Sequence, residues 1–394
     1  MITEERKEEL ISCCQELIRC QSYSGEESVA AACLTNMMKK LGFAEVITDK
    51  YGNIIGHIKG KKPGKKILFD GHLDTVPVTD ASKWDYDPFA AITNDGKIYG
   101  RGASDMKGAV AAMISAASYF AKDISGDFAG DIYVAGVVFE ECFEGVASRS
   151  VSSIVNPDYV VIGEASELNL KRGQRGRAEI VVETYGKSAH SANPKEGINA
   201  VYKMTKLIER INQLKPLAQP ILGEGILELT DIKSSPYPGA SVVPEKCSAT
   251  YDRRLLVGET KESVLQPIKD IIAELEKQDT EFKAAAYYAK GQEKCYTGAF
   301  IEGERFFPGW LYDENNGFVQ AALAGLRDAG LQPETTHYSF CTNGSHYAGE
   351  AGIKTIGFGP SKENIAHTVN EYIEIEQLVK ATEGYYAIIK SVLK

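Results

Sequence analysis

Five short segments of this 394-residue chain set an imidazole or a carboxylate where an apolar run ends or begins. His72 lies in Asp70-Gly71-His72-Leu73-Asp74, directly after the apolar stretch that ends at Phe69. Residues two apart in an extended chain point to one side, so Asp74 is expected to accept from the second ring nitrogen of His72. Taken alone, such a pair reads as an ordinary hydrogen-bonded contact. Asp105 sits in Gly100-Arg101-Gly102-Ala103-Ser104-Asp105-Met106-Lys107-Gly108, before an apolar helix, where a plain N-cap is the alternative. Glu140 and Glu141 end the apolar run 131–139. Adjacent side chains diverge, so one can bind a metal while the other faces a substrate; a solvated acidic loop is the other reading. Glu164 follows the run 159–162, and His367 follows the run 353–358. Two neutral imidazoles and three carboxylates form a donor set that suits zinc, with cobalt or manganese as substitutes. Their shared position decides the matter. All five segments are expected at the carboxyl edge of strands, where open α/β sheets bind ligands.

The elements that must position them alternate. Helices are expected over 5–20 and over 24–41, the second opened by a capping box at Ser24-Gly25-Glu26-Glu27. Strands are expected over 45–48, 54–58, 66–69, 131–139 and 159–162, with a helix over 108–122. Continuous apolar runs such as 133–139 suit strands covered by helices on both faces. Between 177 and 290 the pattern becomes strand 177–186, helix 198–214, strands 225–234 and 246–256, helix 260–277, strand 281–290. That βαββαβ order is the ferredoxin-like unit. Helix 315–329, strands 335–340 and 353–358, and helix 373–392 follow. The fold class is therefore α/β: one domain over 1–176 and 291–394, its sheet flanked by helices, interrupted by an inserted α+β domain over 177–290.

Composition narrows the function. A formal charge of −10 repels a phosphate backbone or an anionic membrane, so neither nucleic acid nor membrane is expected as a partner. The first residues lack the apolar core of a signal peptide, and the longest nearly apolar stretch, 109–121, is too short to span a bilayer. A cytoplasmic protein is expected, with its eight cysteines reduced and mostly buried. No CxxC pair occurs; Cys142 and Cys341 lie beside candidate residues, but neither has a partner that sequence can assign. A dinucleotide fingerprint fails because Asp105 stands where its third glycine belongs.

The chain resembles the metallopeptidase family of succinyl-diaminopimelate desuccinylase, acetylornithine deacetylase, aminoacylase and the G-type carboxypeptidase, and within it the selenium-metabolism-linked (YgeY-like) hydrolases. The resemblance runs through Gly71-His72-Leu73-Asp74-Thr75-Val76-Pro77, Tyr99-Gly100-Arg101-Gly102, Asp105-Met106-Lys107-Gly108, Glu140-Glu141, Gly163-Glu164, Ser188-Ala189-His190-Ser191 and Ala366-His367-Thr368. It implies a zinc-peptidase-like catalytic domain with a mixed sheet, and a lid and dimerisation role for the insert. It also implies two zinc ions, one on His72 and Glu164, the other on Glu141 and His367, with Asp105 bridging and a cis peptide at Asp105-Met106. Glu140 would be the general base, and Asp74 would support His72. His190 would reach a neighbouring subunit's site in a homodimer and stabilise an oxyanion. Arg254 would bind a substrate carboxylate, against a local ion pair with Asp252 as the plain alternative, and Thr342, Asn343 and Gly344 would form a substrate-binding turn. His57, His337 and His346 match no metal position, although His346 is near enough to the turn to line a pocket.

Three departures stand out: Phe139 where many members have aspartate, Ser241 where several have asparagine, and Val257 for a common proline. The implied activity is hydrolysis of the amide or peptide bond of a small N-acyl amino acid or dipeptide carrying a free carboxylate. The alternative is a non-catalytic metal-binding or assembly protein on the same fold.

Overall fold

The stretch 108–121 is apolar but for Ser115 and Ser118, and a helix of that kind has to be enclosed. In the computed structural model, which describes residues 2–393, every residue from Gly108 to Phe120 is buried. This helix packs against helix Ile375–Val392, helix Glu4–Arg19 and a mixed sheet. Among the described residues the sheet has nine strands. Its order is Glu45–Thr48, Ile54–Lys59, Ala129–Val137, Lys62–His72, Tyr159–Ile162, Lys354–Gly357, Leu170–Gln174 and Trp310–Leu311, with Thr335–Tyr338 pairing beside Leu170–Gln174. The four strands from Ala129–Val137 to Lys354–Gly357 run parallel. Helices cover them, and the last six residues of Lys62–His72 are all buried. These elements form one compact unit: the residues up to Gln174, Gln292–Glu302, and those from Trp310 on.

The second unit comprises Arg175–Gly291 and Gly303–Gly309. Strands Gly176–Tyr185, Ile226–Ser235, Lys246–Leu255 and Lys283–Tyr288 alternate with helices Ala200–Ile211 and Lys261–Gln278 in the expected βαββαβ order. The sheet order is Ile226–Ser235, Lys246–Leu255, Gly176–Tyr185, Lys283–Tyr288, all antiparallel, which is the ferredoxin-like arrangement. Burial alternates strictly along Lys246–Leu255, because one sheet face packs on the helices through Cys247, Ala249 and Tyr251. No helix among the described residues is long and apolar enough to cross a membrane.

The structure corrects one local expectation. The second helix runs Ser28–Leu41, and no side chain caps it at Glu27. The Ser24 hydroxyl donates to Asp74 Oδ2 at 2.7 Å, and Glu27 Oε1 accepts from the amides of Gly25 (2.9 Å) and Phe139 (3.2 Å). Buried long-range partners thus displace the capping box. Strand Leu170–Gln174, helix Ser148–Val155 and strands Ile92–Asn94 and Lys97–Tyr99 lie outside the expected elements, and Tyr372–Glu374, the start of the expected last helix, instead pairs as a strand with Lys97–Tyr99.

Candidate metal centre

Sheet register brings the first two donors level. Asp70 pairs with Ile162 on the neighbouring parallel strand, so His72 and Glu164, each two residues further on, stand side by side. A β-carbon at Gly71 would come 2.8 Å from Val110 Cγ2, and one at Gly163 would come 1.9 Å from Met113 Cε. Glycine before each donor therefore lets the buried helix close on the strand ends.

His72 is 1% exposed, and its Nδ1 lies 2.8 Å from the Asp74 carbonyl oxygen. A carbonyl can only accept, so Nδ1 carries the proton and Nε2 turns its lone pair inward. Nε2 faces Asp105 Oδ1 at 2.8 Å and Glu164 Oε1 at 3.4 Å. The other oxygen of Asp105 faces His367 Nε2 at 3.1 Å, and Glu141 Oε2 lies 3.0 Å from that same nitrogen. Asp105 thus stands between two imidazoles, one to each oxygen, with a further carboxylate beside each. Its peptide to Met106 is cis, as the resemblance implies.

Asp105 does not follow a sheet strand in the expected way. It precedes helix Gly108–Asp123, in a turn held by Glu371, whose Oε1 accepts from the amides of Ser104 (2.9 Å) and Asp105 (3.0 Å). Arg101 completes that clamp at 2.6 Å from Glu371 Oε2. Glu140 and Glu141 likewise lie beyond their strand, which ends at Val137.

Asp74 does not accept from His72 through its carboxylate, which stands 3.7 Å away. Its oxygens take the amides of Glu140 (3.0 Å) and Glu141 (3.1 Å) instead, so the support of His72 comes from the Asp74 backbone. Glu140 is 6% exposed, and its Oε1 is buried with no partner among the described residues. Ligand-type atoms of His72, Glu140 and Glu164 all lie within 4.8 Å of one another, and so do those of His72, Asp105 and Glu141.

The charges are mutually dependent. Burial, then Asp105, pushes the Glu164 carboxyl up to about 7. Burial lifts Glu140 well above the usual carboxylate range. Burial also works against the charge on Asp105, but His367 and His72 hold its carboxyl low. His367 is pushed up to about 10, chiefly by Asp105 and then Glu141. Acceptor oxygens converging on the two imidazole nitrogens, in carboxylate excess, are stable together only with shared protons or a cation between them. A divalent metal pair with nitrogen and oxygen donors fits these residues.

The remaining candidates are placed as follows. Thr342 and Asn343 are buried and engaged: Thr342 Oγ1 donates to Gln174 Oε1 at 2.6 Å, and Asn343 Nδ2 donates to Asp70 Oδ1 at 2.8 Å. The other end of Asn343 accepts from Gly145 at 2.8 Å, so these side chains tie the turn to the sheet. Gly344 is also buried, its amide donating to Thr342 Oγ1 at 3.0 Å. His346 bridges Ser152 (2.7 Å) and Glu350 (2.8 Å), so neither ring nitrogen is open to a pocket. His57 stacks on Tyr133, and His337 contacts the Tyr338 carbonyl, both as ordinary strand histidines. In the second unit, Arg254 pairs with Asp252 at 2.8 Å, and His190 is exposed on the short strand Ala189–His190. None of the eight cysteines forms a disulfide. Glu27 and Glu371 escape a motif search because nothing local marks them; each acts on backbone amides far away in sequence.

Residues 68–391 match the sequence profile described as peptidase family M20/M25/M40. The chain belongs to this family. It is thereby a metallohydrolase among peptidases and deacylases. It is 32% identical over 379 residues to a protein of Escherichia coli K12 described as uncharacterized protein YgeY, covering 95% of this chain and 92% of that one. A succinyl-diaminopimelate desuccinylase of Cereibacter sphaeroides is 28% identical over 398 residues, 96% of each chain. The solved YXEP protein of Bacillus subtilis, described as a dinuclear metal binding peptidase of family M20, shares the fold with a TM-score of 0.72 at 14% identity, over 98% of this chain and 99% of that one.

Proposed function

We propose that this chain is a dinuclear zinc amidohydrolase that cleaves the amide or peptide bond of a small N-acyl amino acid or dipeptide with a free carboxylate. The observation that carries the reading is Asp105, with one oxygen toward His72 and the other toward His367. His72 and Glu164 would hold one ion, Glu141 and His367 the other, and Asp105 both. Bound there, zinc, or cobalt or manganese in its place, supplies Lewis acidity toward a carbonyl and makes water a nucleophile near neutral pH.

The chain's own residues do the rest. Glu140, with a buried oxygen that has no partner, takes a proton from the attacking water and returns it to the leaving nitrogen. His190 Nδ1 accepts from the Ala192 amide at 3.0 Å, so its ring proton sits on Nε2, ready to donate to an oxyanion. The Asp252 pair orients the Arg254 guanidinium toward a substrate carboxylate. The buried turn Thr342-Asn343-Gly344 would bound the substrate from the sheet side. A homodimer through the second unit would bring His190 to a neighbouring copy. The edge strand Ile226–Ser235 supports that reading, since among the described residues it pairs on one side only and exposes Ile226 and Ile232.

The test is hydrolysis of a panel of N-acyl amino acids and dipeptides by the zinc-loaded chain beside Glu140→Ala. Turnover in the parent alone supports the reading. Two bound zinc ions with no turnover on any substrate would favour the non-catalytic alternative.

A further inference from the structure

We infer that Glu27, which no step above uses, is a positioning residue for the loop that carries Glu140 and Glu141. The inference rests on the metal-centre reading. Glu27 is entirely buried, and its Oε1 accepts from the Phe139 amide at 3.2 Å, while Asp74 takes the next two amides at 3.0 and 3.1 Å. Three consecutive N–H groups of one loop therefore face two carboxylates. Phe139 holds a left-handed φ of 57°, which a bulky residue adopts only when its surroundings impose it. Backbone of this kind turns successive amides toward a common anion.

The turn beneath the loop is shaped to match. Gly25 has φ 90°, and a β-carbon there would lie 3.0 Å from the Phe139 ring. Its amide donates to the same Glu27 oxygen at 2.9 Å, and Ser24 closes the assembly on Asp74 at 2.7 Å. Neither Glu140 nor Glu141 lies in a strand or helix, so this latch stands in for regular structure there. His72 ends a strand, and register alone brings Glu164 level with it. Loss of the latch must therefore act on the Glu141–His367 side and on Glu140, and spare the His72–Glu164 side.

The experiment is calorimetric titration of zinc alone into the metal-free full chain, with hydrolysis measured in parallel. The parent should show two binding events. Glu27→Ala should weaken one event by about 10–100-fold and leave the other unchanged, with kcat falling by a similar factor and KM little altered. Glu27→Gln, whose amide oxygen can still accept from Gly25 and Phe139, should restore both. Two parental zinc affinities in Glu27→Ala would overturn the inference, as would equal weakening of both events that Glu27→Gln fails to rescue. Should Glu27→Ala fail to fold, Ser24→Ala must weaken the same single event to a smaller degree; unchanged binding would overturn the proposal. A parent chain that takes up no zinc would overturn the metal-centre reading and this inference with it. Zinc uptake without hydrolysis would count only against the reaction, because the binding arm decides the role of Glu27.

Discussion

The metal centre of the first unit and the candidate residues of the second are built in opposite ways. Around the centre, buried carboxylates that are not donors hold the loops through backbone amides: Glu371 under Asp105, Asp74 under Glu140 and Glu141. In the second unit, His190 stands exposed on a two-residue strand, and Arg254 is 30% exposed beside Asp252. Exposed apolar side chains also gather there, among them Tyr202 at 69% and Tyr237 at 72%. The contrast separates two tasks. Chemistry that needs sub-ångström placement sits on a buried scaffold held by hydrogen bonds to backbone amides. Groups that meet a substrate or a second chain sit on a surface and depend on what arrives there.

The largest expected effect is that of Glu140→Ala, which should lower kcat by up to about 10⁴-fold while calorimetry still counts both metals. Normal turnover would remove Glu140 from the mechanism. Next comes Glu371→Ala, which strands the Arg101 charge in the interior and frees the Asp105 turn. Chemical denaturation should report a loss of about 3–5 kcal/mol, the scale of a broken buried pair; a negligible change would mean that the scaffold is not under load. His190→Ala should cost about 10²-fold in kcat and leave the thermal midpoint alone, because the side chain is exposed. A drop in stability instead would erase the contrast between the two regions.

The smallest effect concerns a rim pair of the first unit. Burial opposes the charge on Glu350, but His346 and Arg149 hold its carboxyl down to about 2. With a folded value below the unfolded one of about 4.3, its contribution is present above the unfolded value and is lost as pH falls through the folded one. Glu350→Gln should therefore flatten the acid limb of stability between about pH 5 and 2, by about 1 kcal/mol. Parallel limbs in parent and variant would contradict the assignment.

Much of the fold was legible because burial writes period into sequence. The stretch 246–251 alternates polar with apolar, and 108–121 is apolar but for Ser115 and Ser118, so their type and bounds follow within a few residues. Leu170–Gln174 carries no such signal. Its Lys171, Arg172 and Gln174 are strand residues only because Thr335–Tyr338, Trp310–Leu311 and Lys354–Gly357 offer them backbone partners. The Ser24–Glu27 segment shows the converse error: a good local capping pattern loses to Asp74 and the Phe139 amide, which local sequence cannot foresee.

What the sequence determined by itself was the candidate donor set, the alternation of elements that brings those candidates together, and the family. Residue type and short-range spacing carry all three. Tertiary structure decided which atom faces which: the Asp74 carbonyl rather than its carboxylate on His72, and one Asp105 oxygen for each imidazole. His72 and Asp105 are 33 residues apart, and Glu141 and His367 are 226 apart. A carboxylate has no local preference among such partners. Only the packed chain, by desolvating all of them together, selects the pairing.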